Sequence, residues 1–458
     1  MSLAALGLMA ACAATPGGEM ASRLDSAPGT ALPPMKQFVQ TPAAIPALRS
    51  NAEMAQDFLD LSFRLESGRE LPVMSRFEGP VTVRLLGAET APSLGPDLAR
   101  LLSRLRREAG LTITRVPADD ADASITIEVL PRRLLRRYAP SAACFVVPRV
   151  SSWEEFLRYR NTDRVDWATL TVRERLAIFL PGDVSPQEGR DCLHEELAQA
   201  LGPLNDLYRL PDSVFNDDNF HTILTGFDML MLRAYYAPQL SSGMSREQAA
   251  RRIRAILARL NPAGERVPAR PVQPSPRAWV KAVEEALGPR TGARQRAAAA
   301  SRAVEIARQA GLSDTRLAFS YYIWGRLSLS DSPDAALAAF LQAREIYAAR
   351  PETSVQAAHV SMQLAAFSLS AGQTQAALRL VEDALPAAAQ AENAALLATL
   401  LLIKAEALEQ LGQMREAQAV RLDSLGWARY GFGSDEDVRA RVAEISALAP
   451  QVGRALRR

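Results

Sequence analysis

"CLHEELAQALGPLND", residues 192–206, decides how the first half of this chain is read. Pro186 and Glu188 open a helix that runs through the stretch and stops at Gly202. Along it stand His194, the adjacent Glu195 and Glu196, and Gln199; Asn205 and Asp206 follow the glycine. Residues four apart share a helical face, so Glu195 and Gln199 project together. The chemical question is whether that face holds a metal ion or a hydrogen-bonded polar cluster.

Working outward, the chain from about 51 to 262 mixes helical and strand periodicities. "NAEMAQDFLDLSFRLES", from residue 51, is helical, and "GPVTVRLLG" at 79–87 alternates as a strand. "LGPDLARLLSRLRREAG" at 94–110 is an amphipathic helix stopped by Gly110. "ASITIEVLP" at 123–131 reads as a further strand, and "WATLTVRERLAIFLPGD" at 167–183 as one or two more. "RRLLRRY" at 132–138 reads as the edge of a strand or helix with solvated arginines. This order predicts an α/β or α+β domain. The prolines of "NPAGERVPARPVQPSPR", 261–277, then predict a semi-rigid linker.

Beyond the linker everything is helical. Segments at 332–347, 371–385 and 411–425 align on small residues: Ala336, Ala377 and Ala417, then Ala343, Ala384 and Ser424. Phe340 and Val381 fill the bulky position between them, and Arg421 stands there in the third segment. Each segment follows another apolar helix. The units resemble tetratricopeptide repeats, whose small residues let paired helices approach closely. Stacked helix pairs imply a surface for a protein or peptide.

A net charge of +2 gives no electrostatic case for nucleic acid. The opening "MSLAALGLMAAC" is similar to a bacterial lipoprotein signal that ends at Cys12, where a lipid would be attached. It lacks the basic residues that usually lead such a signal. The Gly/Pro-rich stretch after it reads as a flexible tether. No later segment offers about 20 unbroken apolar residues, so the lipid would be the membrane attachment. The address this implies is the bacterial cell envelope, periplasm-facing. With Cys12 lipidated, Cys144 and Cys192 remain, and an oxidising compartment would join them; two buried thiols are the alternative.

In the register beginning at Glu195, the quoted stretch resembles the metzincin motif HExxHxxGxxH. Glu195 takes the first ligand position, Glu196 the catalytic glutamate, Gln199 the second ligand position, Gly202 the turn and Asn205 the third, with Asp206 following. "PDSVFNDD" at 211–218 resembles the approach to the family's Met-turn, with Ser213 leading in and Phe215 in place of methionine. "LTGFDMLMLRAYYAPQL" at 224–240 resembles its closing helix. The three histidines are gone. The same residues are similar to an uncharacterised bacterial family, domain of unknown function number 2927, over roughly 70–260. That resemblance implies a fold and an envelope address, without an established activity.

Amide oxygens are poor zinc donors, so Glu195, Gln199 and Asn205 predict no zinc and no cofactor. A calcium-type site is chemically open to these oxygens, with Asn216, Asp217 and Asp218 in reach. The favoured expectation is a metal-free cluster in which Gln199 and Asn205 bridge the two glutamates and backbone groups. No catalytic residue is expected. The alternative is an envelope metallohydrolase with an unorthodox site built from Glu195, Glu196, Gln199 and Asn205, with Glu196 as its base. A zinc scheme joining His194 and His221 to these glutamates demands side chains that diverge around the helix. The whole therefore reads as a signal and tether (1–50), an α+β zincin-like domain (51–262), a linker (263–275), an all-α tetratricopeptide-like repeat domain (276–448) and a tail (449–458).

Overall fold

The computed structural model describes residues 32–39, 46–140, 142–288 and 291–449. Cys12, most of the tether and all but the first residue of the tail lie outside the described residues. The described residues divide into two compact units: one is built from residues 46–274, and the other combines 32–39 with 275–449.

The first unit contains α1 (Asn51–Ser62), β1 (Val81–Leu86), α2 (Leu94–Glu108), β2 (Ile113–Arg115), β3 (Ile125–Leu130), α3 (Arg132–Tyr138) and β4 (Phe145–Pro148). It continues through α4 (Trp153–Tyr159), β5 (Leu176–Pro181), α5 (Pro186–Leu201), α6 (Gly226–Tyr235) and α7 (Arg246–Leu260). The strands form one sheet in the order β2-β1-β3-β5-β4. All neighbours are parallel except β4, the edge strand, which runs antiparallel to β5.

Burial explains the two kinds of strand pattern. On β1, Val81, Val83 and Leu85 face the main core and the intervening residues are half-buried. Every residue of β5 is buried, because Leu176, Ile178 and Leu180 enter the main core while Ala177 and Phe179 enter a second cluster on the opposite face. That second cluster is roofed by Leu135 of α3 and by Trp153, the first residue of α4. So "RRLLRRY" is a short helix that buries Leu135, with Arg133, Arg136 and Arg137 left in solvent. The stretch from 167 yields one strand only. Trp167–Thr169 is a single tight turn capped by Asp166, whose side chain accepts the Ala168 N–H. A disulfide joins Cys144, just before β4, to Cys192 in the middle of α5.

In the second unit the helices pair along the chain. The pairs are α8 (Arg277–Leu287) with α9 (Ala293–Gln309), α10 (Thr315–Ser328) with α11 (Pro333–Ala348), α12 (Ser354–Ser370) with α13 (Thr374–Gln390), and α14 (Ala394–Gln410) with α15 (Met414–Phe432). A last helix, α16 (Asp435–Ser446), packs on α14 and α15. The aligned residues Ala336, Ala343, Ala377, Ala384, Ala417 and Ser424 are all buried. Arg421 stands where its counterparts are apolar because it pairs with Glu406 and Glu409 of α14.

Gly431 marks the tightest helix contact. A Cβ there would lie 2.5 Å from the Ala395 backbone nitrogen and 2.6 Å from its Cα. Backbone cannot swing aside as a side chain can, so Gly431→Ala must push α15 off α14. We expect a loss of about 2–3 kcal/mol in urea unfolding. A change below about 0.5 kcal/mol would show that the two helices are not held this closely.

Candidate functional site

Helix α5 is fixed at both ends. Ser185 caps its start, accepting the Glu188 N–H at 3.1 Å, and Pro186 occupies the first turn. At its far end the buried Arg173 guanidinium donates to the carbonyls of Gln199 (2.6 Å), Ala200 (2.7 Å) and Gly202 (2.5 Å). Tyr236 adds a bond to the Leu201 carbonyl. Gly202 is extended, so its backbone does not itself demand glycine. The demand is spatial: a Cβ would stand 3.0 Å from the ring of Tyr235.

Past the glycine the chain is stitched to α1. The Leu204 N–H donates to the Leu61 carbonyl, and the Asn205 amide donates to the Asp60 carbonyl at 2.9 Å. The turn at 211–218 is held by Asp228, at the start of α6. Its carboxylate accepts from Ser213 Oγ (2.6 Å), from the Val214 N–H, and from Thr225 through both backbone and hydroxyl. Phe215 is wholly buried, and its N–H donates to Ser213 Oγ. Ser213, Phe215 and Asp228 thus work as one structural device, joined by a capping box at Thr225.

The acidic residues gather around Glu66, on the loop that follows α1. Gln199 Nε2 donates to Glu66 Oε1 at 3.2 Å. Glu195 is half-buried; burial pushes its carboxyl up to about 7, and the charges of Glu66 and Asp217 add to the effect. Glu196 is only 4 % exposed, and its Oε2 has no hydrogen-bond partner. Burial raises it well above the usual range, with Glu195 and Glu66 contributing. Asp206 is raised in the same way, by burial and then by Glu66, Asp217 and Glu195. The result is a cluster of Glu66, Glu195, Glu196, Asp206 and Asp217.

One expectation changes here. Neither Gln199 nor Asn205 reaches Glu195 or Glu196 among the described residues. Gln199 turns to Glu66, on the loop after α1, and Asn205, beyond the end of α5, turns to the Asp60 carbonyl of α1. The histidines are also spoken for. His194 Nδ1 accepts the Leu224 N–H at 3.0 Å, and burial with Arg190, Arg104 and Arg100 nearby holds the ring neutral. His221 Nε2 lies 3.0 Å from the Pro211 carbonyl. Among the described residues no group of three His, Cys, Asp or Glu side chains is placed to hold an ion. Glu66 was invisible in the sequence: it sits in an ordinary polar run, and only the packing of α1 against the 203–206 turn brings it here.

This cluster has a pH signature. Between pH 4.5 and about 7 an unfolded Glu195 is ionised while the folded one keeps its proton. Folded stability must therefore fall as pH rises through that window and level off above it. Glu196 and Asp206, also raised, act in the same direction. Glu195→Gln should flatten the slope and stabilise the protein at pH 7.5 by about 1–2 kcal/mol. Urea midpoints at pH 5 and 7.5 check this, and a wild type that gains stability over the interval contradicts it.

No curated protein and no solved structure matches the chain. No helix among the described residues is long and apolar enough to cross a membrane. Residues 51–255, from the first turn of α1 into α7, match the model of a family described as "Protein of unknown function (DUF2927)", and to that extent the first unit is similar to an uncharacterised family.

Proposed function

We propose that the chain is a lipid-anchored envelope protein that binds a protein or peptide partner. Its first unit is a metzincin-like scaffold without zinc catalysis, and its second presents tetratricopeptide-like hairpins. The observation that carries this reading is the diversion of the motif's donors. Gln199 and Asn205, in the positions of metal ligands, spend their amides on Glu66 and on the Asp60 carbonyl. His194 is fixed to the backbone behind the helix. The Gln199 and Asn205 bonds use the amide nitrogens and tie each side chain to a different element, which supports a role in holding shape.

One observation favours the competing hydrolase reading, namely the unpartnered Oε2 of the buried Glu196. Elemental analysis of the purified protein after dialysis separates the two. On the binding reading, transition metal stays far below one atom per chain, and Glu196→Gln alters no cleavage of unstructured peptide substrates. One tightly held zinc per chain, lost together with peptide cleavage on Glu195→Ala, would overturn it. The lipid anchor is tested separately by replacing Cys12 with serine, which should move the protein from the membrane fraction to the soluble one.

A further inference from the structure

Residues 32–39, "LPPMKQFV", lie along α15, although the entire first unit separates them from it in sequence. The Lys36 N–H donates to the Gly426 carbonyl at 3.0 Å, and Arg429 Nη1 donates to the Pro33 carbonyl at 3.0 Å. The Lys36 ammonium pairs with Asp423 and lies 5.6 Å from the centre of the Trp427 ring. Phe38 packs on Trp427 at 4.5 Å between ring centres and meets Tyr430 edge-on at 6.4 Å.

The helix is shaped for this visitor. Gly426 lies in its interior, where glycine is costly. A Cβ there would stand 2.9 Å from Lys36 Cγ and 3.3 Å from the Pro34 carbonyl oxygen. The segment itself behaves as a ligand would. It has no regular secondary structure, and only Phe38 is deeply buried. Lys36 and Asp423 keep 47 % and 40 % of their side-chain surface in solvent, and Val39 is 83 % exposed. Two prolines limit its freedom before it docks, which lowers the entropy lost on binding.

We propose that this face of α15 is a binding site for an extended Pro-Pro-x-Lys-x-aromatic segment, filled in cis by residues 32–39, which a partner segment of the same chemistry displaces. Recognition is divided among three features: the aromatic pair Trp427 and Tyr430 for the Phe, Asp423 for the lysine, and the cleared backbone at Gly426 for the main chain. Because the cis segment is tethered, a competitor faces a high local concentration of it. The site is therefore guarded in the resting chain.

The test uses the full chain with Lys36→Ala and Phe38→Ala, which should vacate the site, and a fluorescent peptide of sequence LPPMKQFV as probe. Anisotropy should show saturable binding to this variant, and binding to the unaltered chain should be weaker by roughly tenfold or more. Adding Asp423→Lys to the vacated chain should abolish binding, and a peptide carrying glutamate in place of its lysine should restore it. A merely structural contact would not follow that charge exchange. The proposal is overturned if the peptide ignores the vacated chain, if it binds the unaltered chain equally well, or if Phe38→Ala alone collapses the helical unit's unfolding transition.

Discussion

Replacing Arg173 by methionine should remove about 5 kcal/mol of stability from the first unit. The side chain is 2 % exposed, and its nearest charge partners are not carboxylates but the carbonyls that end α5. A helix leaves its last carbonyls without intrahelical donors, and here those groups are buried. Methionine fills the volume and supplies no donor, so the carbonyls of Ala200 and Gly202 would be stranded, while that of Gln199 would keep only the Gly202 N–H. Each such group costs about 1–3 kcal/mol, less than additively because the chain end relaxes. Arg173→Lys should recover only part of this, since one ammonium cannot fork toward three acceptors in a fixed plane. Urea unfolding followed by near-ultraviolet circular dichroism gives the magnitude, and hydrogen exchange should show the amides around Gly202 opening first. A loss below about 1 kcal/mol would mean that the end of α5 is satisfied by other groups.

The same residue shows where reading the sequence stops. Periodicity was legible where one face of an element meets one core: β1, α2 and the small-residue positions of the paired helices follow directly from their patterns. The helix of the opening motif was bounded correctly by Pro186 and Gly202, since both limits are local backbone chemistry. The stretch around Arg173 looked like strand because Thr169, Leu170, Thr171 and Val172 favour pleated structure. The backbone instead turns there to deliver an arginine beneath α5, and a buried cation is chosen by distant carbonyls, which no local pattern encodes. β4 escaped notice for a related reason. It is four residues long and is held only by pairing with β5. In the candidate site, the α5 residues were legible by spacing. Glu66, some 130 positions earlier, was not, because its place depends on how α1 meets the turn after Gly202.

Removing the Cys144–Cys192 bridge should cost nearly as much as losing Arg173, by an unrelated route. The two residues are 48 apart in sequence, and closing a loop of that length restricts the unfolded chain by about 4 kcal/mol in the chain-entropy account. A full-chain variant with both cysteines changed to alanine should therefore unfold at lower urea, by roughly 3–4 kcal/mol. The effect should be uneven. β4 is the edge strand, paired on one side only, and the bridge pins the residue just before it to the interior of α5. Its amides should lose protection first, while those of β3, flanked by β1 and β5, stay near the wild-type pattern. The bridge also bears on the address. Glutathione keeps such pairs reduced in a cytosol, and an envelope compartment oxidises them. Denatured, unreduced Cys12→Ser protein taken from native cells should yield no reactive thiol. Two thiols per chain would remove the bridge and, with it, one support for the proposed envelope address.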